Sequence, residues 1–238
     1  MKQGSDIQTS FVSGGGEMGR WISNFKWENT SLGAIDTWSQ SLKTSVSILL
    51  NSTQPMWIGW GKENIFLYND SYIQVLGQAK HPWALGLPAH IVWSEIWDFC
   101  GPLSDKVFKE GKASYVNDSH FFMNRGEFLE EVFYSFSYSA IYDETGAVGG
   151  LFCPNVETTP KMLSERRLRT LSELSARALV EKTIGSAMEK AADTIGKNPE
   201  DIPFAAIYIT DASGQQAHLY TSAGLTRAGA AFPHLLAL

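Results

Sequence analysis

The run from Phe128 to Tyr142 constrains this chain more than any other stretch. Along it Tyr134, Phe136 and Tyr138 alternate with Ser135, Ser137 and Ser139. Successive side chains of a strand point to opposite faces, so a period of two marks a long β-strand with one aromatic face. Turn-forming residues bracket it, Asn124-Arg125-Gly126 before and Asp143-Glu144-Thr145-Gly146 after, which predicts hairpins on both sides. The flanking segments Ser114–Met123 and Val148–Val156 then read as its antiparallel neighbours.

Two more strands are expected upstream. Met56-Trp57-Ile58-Gly59-Trp60 and Ile65-Phe66-Leu67-Tyr68 are separated by Gly61-Lys62-Glu63-Asn64, a tight-turn composition. Between these and the later three strands the pattern is helical. Asn69-Asp70-Ser71 offers capping side chains for a short helix from Tyr72 to Leu76, closed by Gly77. Val92, Ile96, Phe99, Leu103 and Val107 keep helical spacing from Ile91 to Glu110, and Gly101-Pro102 is expected to break that pattern in two. Before the first strand, Met18, Trp21, Ile22 and Phe25 form one amphipathic helix over Glu17–Phe25. Leu42, Val46 and Leu49 or Leu50 form another over Ser39–Leu50. Residues 1–16, with Gly14-Gly15-Gly16, read as a loose leader. Hairpin-linked strands with helices gathered between them predict an α+β fold, a five-stranded antiparallel sheet carrying short helices on one face.

After Pro160 the texture changes. Leu168, Leu171, Leu174 and Ala178 fall at spacings of three, three and four on a helix over Leu163–Leu179, close to the heptad of a two-helix seam. Thr183 caps a further helix reaching Ile195. Pro203–Ile209 and Gln216–Thr221, with Asp211-Ala212-Ser213-Gly214 between them, read as one hairpin with nothing after it to pack against, and residues 227–238 fit no pattern.

Composition narrows the function classes. Nineteen basic against 25 acidic residues give a net charge of −6 with no basic cluster, which argues against nucleic acid as a partner, since that grip rests on grouped Lys and Arg. No run reaches the roughly 18–20 apolar residues of a membrane span. Two cysteines, Cys100 and Cys153, are too few for a disulfide scaffold, and with no secretory leader the chain is read as cytoplasmic. No Walker loop, His-Glu-x-x-His or Gly-x-Ser-x-Gly elbow is present. His81, His90, His120, His218 and His234 are scattered, so neither a catalytic residue nor a metal site is expected.

In order along the chain, Met56–Gly61, Phe66-Leu67-Tyr68-Asn69-Asp70-Ser71-Tyr72, Leu76-Gly77, Leu85-Gly86, Gly111-Lys112-Ala113, Ser137–Asp143 and Gly146–Phe152 resemble a PAS domain. The family's exit triplet Asp-x-Thr appears here as Glu157-Thr158-Thr159. The likeness spans about Leu42 to Thr159. Gly16-Glu17-Met18-Gly19, Trp27, Leu32-Gly33 and Trp38–Leu42 resemble the N-terminal cap of PAS domains in bacterial hybrid sensor histidine kinases. Thr183–Tyr220, with Asn198-Pro199-Glu200-Asp201, resembles the start of a GAF domain. The resemblance implies a leader at 1–16, a helical cap at 17–54, a PAS domain at 55–159, a signalling helix at 160–182 and a truncated GAF-like segment at 183–238. It further implies a sensory module feeding a histidine kinase output outside this chain, with a second copy and downstream kinase domains as partners. A ligand-free dimerisation or interaction module is the alternative.

Trp57, Tyr68, Trp93, Trp97, Phe122, Tyr134, Phe136 and Tyr138 are the candidate lining of a small-molecule cavity. Alternation leaves open whether that aromatic row is a pocket, plain core or an outer face. Leu168, Leu171, Leu174 and Ala178 are the candidate dimer and signalling stripe. No cofactor is expected. The cysteinyl-flavin motif Gly-x-Asn-Cys-Arg-Phe-Leu-Gln of light-sensing relatives is absent, and both cysteines read as buried structural thiols. Haem, through His81 or His90, and non-covalent flavin are the cofactors weighed.

Overall fold

The computed structural model describes residues 10–224 and 232–238, in two compact units divided between Thr159 and Pro160. The first unit begins with helices α1 (Gly16–Asn24) and α2 (Gln40–Asn51), followed by strands β1 (Met56–Trp60) and β2 (Ile65–Tyr68). Helices α3 (Ile73–Lys80), α4 (Ala89–Val92) and α5 (Trp97–Glu110) lead to β3 (Ser114–Asn124), β4 (Leu129–Tyr142) and β5 (Val148–Glu157). The five strands form one sheet in the order β2-β1-β5-β4-β3, every pairing antiparallel. This is the α+β architecture expected from the alternation of the strands.

The order puts the last strand in the middle. β5 lies between β1 and β4, with Trp57 opposite Cys153 and Phe136 opposite Asn155. Helix α5 packs on β5 and β4, and the inner face under α3–α5 carries Trp57, Cys153, Tyr134, Phe136 and Tyr138. On the opposite face Ile58 and Leu67 pair and are completely buried, where α2 packs along β1 and β2 with Leu42, Val46 and Leu49. The two apolar faces of β1 and β2 therefore each have a helical layer to cover them.

A contact between residues far apart in sequence anchors the cap. The Asp70 carboxylate accepts hydrogen bonds from the backbone N–H groups of Glu17 at 2.9 Å and Met18 at 2.7 Å. These are free donors at the first turn of α1, and no side chain at Gly15 can serve them, so the cap comes from just after β2. The leader joins this region too: Ser10–Val12 form one 3-10 turn and Val12 is buried in the core. The rest of the predicted loose leader, residues 1–9, lies outside the described residues.

One local expectation changes. The helical pattern of 91–110 breaks at Trp93–Ile96 and runs unbroken through Gly101-Pro102. Pro102 lies inside α5 and forfeits a backbone hydrogen bond there, while the bare Cα of Gly101 leaves room for the Trp97 indole, 2.8 Å from where a Cβ would stand. Gly77 ends the short helix as expected: it is non-helical at φ +65° and ψ −178°, and the residues from there to Lys80 are a second helical piece across a kink in α3. A Cβ there would lie 2.0 Å from the Arg125 carbonyl oxygen, so only glycine lets α3 meet the β3–β4 turn.

The second unit contains most of α6 (Thr159–Ala178), then α7 (Ile184–Ile195) and strands β6 (Ala205–Thr210), β7 (Gln216–Ala223) and β8 (Leu235–Ala237) in the order β6-β7-β8. Thr183 caps α7 by accepting from Ser186 N–H, and α7 packs on β6 and β7. The isolated hairpin of the sequence reading is corrected here: Leu235–Ala237 pair antiparallel with Gln216–His218 and make it three-stranded. Asp201 holds Arg166 through two bonds, 2.8 and 3.1 Å, and Arg167 at 3.1 Å, while Asn198 bridges Asp201 and Thr170. Among the described residues no helix is long and apolar enough to cross a membrane.

Removing the remote cap should loosen α1. Asp70→Ala is expected to cost about 1 kcal/mol of stability, with Asp70→Asn milder, as read from urea unfolding followed by tryptophan fluorescence.

Candidate functional site: an aromatic cavity joined to the sheet exit

Between α3–α5 and the inner sheet face lies a cavity of about 30 Å³, the volume share of roughly one water molecule. Of the eight candidates, Trp57, Trp93, Tyr134, Phe136 and Tyr138 line it. Three other candidates lie elsewhere. Tyr68 is fully buried beside it among Phe66 and Tyr72, and its hydroxyl bonds His81 Nδ1 at 2.9 Å. Trp97 folds over Gly101 towards His90. Phe122 is 49% exposed on the opposite face, near His120, and its neighbour Phe121 enters the cavity wall instead.

The β3–β4 register explains that last change. Asn124 pairs with Leu129, so Phe121 stands opposite Val132 and Met123 opposite Glu130, on the face of Tyr134. The four-residue connection between the strands was a signal available in the sequence. Tyr72, Ile96 and Cys100 also line the cavity, brought there by helix packing, and Cys153 and Asn155 join them from β5.

Among the described residues no charged side chain lines this cavity. Burial pushes the Tyr72 and Tyr138 hydroxyls well above their ordinary pKa, the Cys100 thiol up to about 11 and the Cys153 thiol well up, so all stay neutral around pH 7. Just outside, Lys80 Nζ pairs with Glu95 and sits 3.9 Å over the Trp93 ring. Burial lowers the pKa of Lys80, opposed by the Glu95 carboxylate.

The cavity wall is wired to the end of β5. Tyr134 donates its hydroxyl hydrogen to Glu157 Oε2 at 3.0 Å, and Arg125 Nη1 donates to both, each at 3.0 Å. Arg125 Nη2 reaches Glu130 at 2.8 Å. Two residues on, Thr159 Oγ1 accepts from Phe133 N–H at 2.9 Å, and Thr158 N–H donates to the Phe133 carbonyl at 2.8 Å. The Glu157-Thr158-Thr159 triplet thus pins the end of β5 and the first residue of α6 to β4, with glutamate reaching Arg125. Burial pushes the Glu157 carboxyl up, but the bonds and charge of Arg125, with the Thr159 and Tyr134 hydroxyls, outweigh it and leave the pKa lowered.

On α6, Leu168 and Leu171 are 64% and 60% exposed and Ala178 is exposed, whereas Leu174 is half-buried. The polar Ser175 separates the exposed Leu168 and Leu171 from Ala178, and Leu174 is the half-buried member of the expected stripe.

No protein-family model matches the chain, and no curated protein does. Solved structures do. The PAS domain of a protein from Colwellia psychrerythraea matches at 14% identity and TM-score 0.37, covering 50% of this chain and 98% of its own. A sensory box sensor histidine kinase from Vibrio cholerae matches at 12% identity and TM-score 0.35, covering 50% and 92%. The PAS domain of Bordetella pertussis BvgS matches at 16% identity and TM-score 0.34, covering 50% and 85%.

Phe136→Ala should cost about 3 kcal/mol or more, as expected for an emptied core site, and Phe122→Ala less than about 1 kcal/mol; chemical denaturation of the two variants checks the face assignment. Glu157 supplies a pH test. With its folded pKa below the ordinary 4.5, the unfolded chain binds more protons in acid. Its stabilisation is present above pH 4.5 and fades as pH falls through the lowered value. The stability gap between wild type and Glu157→Gln should accordingly narrow on acidification from pH 6 to pH 3.

Proposed function

We propose that this chain is the sensory input module of a bacterial two-component signalling protein. A PAS-type domain at 55–159, under the helical cap, takes the stimulus, and α6 carries the response towards a GAF-like unit and a histidine kinase output. The carrying observation is the Tyr134–Glu157 hydrogen bond of 3.0 Å. One side chain both lines the cavity and holds the last residue of β5, so any occupant or packing change that moves Tyr134 acts on the strand end from which α6 departs.

The relay needs two states that the stimulus binds unequally. In one, Arg125, Tyr134 and Glu157 are assembled and the exit is pinned. In the other, displacement of Tyr134 breaks the bond and frees the β5–α6 junction. Two copies joined along Leu168, Leu171 and Ala178 would convert that local release into a change of helix packing.

A second reading, a ligand-free dimerisation or protein-interaction module, is favoured by cavity size. About 30 Å³ is far below the roughly 300–1,000 Å³ of ordinary small-molecule sites. A flavin or haem would have to displace lining side chains.

Native mass spectrometry of the purified chain, with an absorbance scan from 300 to 700 nm, separates the readings. A retained small molecule or a visible chromophore supports the sensor with its own ligand; a colourless dimer of bare chain mass supports the interaction module. In either case Leu168→Glu combined with Leu171→Glu is expected to convert the dimer to monomer by light scattering, and an unchanged dimer mass would reject α6 as the main contact.

A further inference from the structure

Between α4 and α5 the cavity wall is a single turn, Trp93-Ser94-Glu95-Ile96. Trp93 and Ile96 line the cavity, whereas Ser94 between them is exposed, so one thickness of chain separates the space from water. Glu95 fastens this turn at two points. Its carboxylate pairs with Lys80 at the end of α3, and its Oε1 accepts the Asn124 N–H at 3.2 Å near the end of β3. Lys80 is only 5% exposed, and its Nζ lies 3.9 Å over the Trp93 ring. A lysine buried so far needs its carboxylate partner, because a lone charge out of water is costly. The same pair therefore presses on Trp93 and holds the turn to α3 and to the β3–β4 hairpin.

We propose that Trp93–Ile96 is the door of the cavity and that Glu95, held by Lys80 and Asn124, is its latch. Release of Glu95 lets the turn swing outward while the sheet stays folded, and opens the space to solvent. With no charge on the lining among the described residues, the molecule admitted is small and neutral. Asn124 immediately precedes Arg125, the hub of the exit network, so the latch and the exit share one strand end. That consequence, and the use of the door by a stimulus, rest on the sensory reading above; the opening itself does not.

Cys100 and Cys153 serve as reporters, since both line the cavity and burial keeps them protonated and inert while the door is shut. The full purified chain is labelled with methyl methanethiosulfonate under native conditions, and the rate at each cysteine is read by peptide mapping. Variants are compared at urea concentrations that give equal global stability. Glu95→Gln is expected to label both cysteines about tenfold faster than wild type or more. Lys80→Met combined with Glu95→Gln leaves no lone buried charge, should label faster too, and decides the matter if the single variant does not fold. Asp70→Ala, whose lost contact lies at α1, should label at the wild-type rate. Hydrogen exchange should rise over residues 93–100 in the latch variants and stay unchanged over 17–22. Wild-type labelling rates in the latch variants, or an equal acceleration in Asp70→Ala, would overturn the proposal. The measurement reads opening only, so its failure leaves the ligand and dimer tests of the sensory reading intact.

Discussion

The two-faced β4 strand is the constraint on which the first unit depends. Fourteen residues long, it pairs with β3 on one side and β5 on the other, and its aromatic face must be kept from water. Burying three large rings is worth several kcal/mol of hydrophobic stabilisation, and only a layer over the sheet can supply it. Helices α3 to α5 are that layer, and the small space left beneath them is the cavity. Core and candidate site are one feature seen at two scales.

The position of β5 gives that feature its consequence. As a central strand, β5 feels packing on the inner face through Cys153 and Asn155, and at its far end it leaves the sheet as α6. A polar cluster on an otherwise apolar wall is costly unless satisfied. Here Arg125, Tyr134, Glu130 and Glu157 satisfy one another, which holds the exit in a single arrangement. Removing Arg125 would leave Tyr134, Glu130 and Glu157 each short of a partner.

The limits of sequence reading show at particular residues. Trp57, Tyr134, Phe136 and Tyr138 were legible because alternation along a strand is a local property. Phe122 was misplaced in favour of Phe121 because facing depends on hairpin register, and one residue inverts it. Cys100, Tyr72 and Ile96 reach the cavity only through the packing of helices. The capping of α1 by Asp70, fifty-three residues from Glu17, leaves no trace in any short window. The break in the 91–110 helix moved to Trp93–Ile96, where Trp93 is buried and Ile96 packs against the core, and α5 accommodates Pro102 inside it.

What the sequence determined by itself is the kind and order of elements: five alternating strands, helices between the second and third, and an amphipathic helix after Pro160. Period and turn chemistry act over neighbouring residues, so they can be read without a fold. Tertiary structure alone decided that β5 is central, that Glu157 meets Tyr134 and Arg125, and that two distant cysteines share one cavity. Those contacts join segments that only strand order and helix packing bring together, and no local preference encodes them.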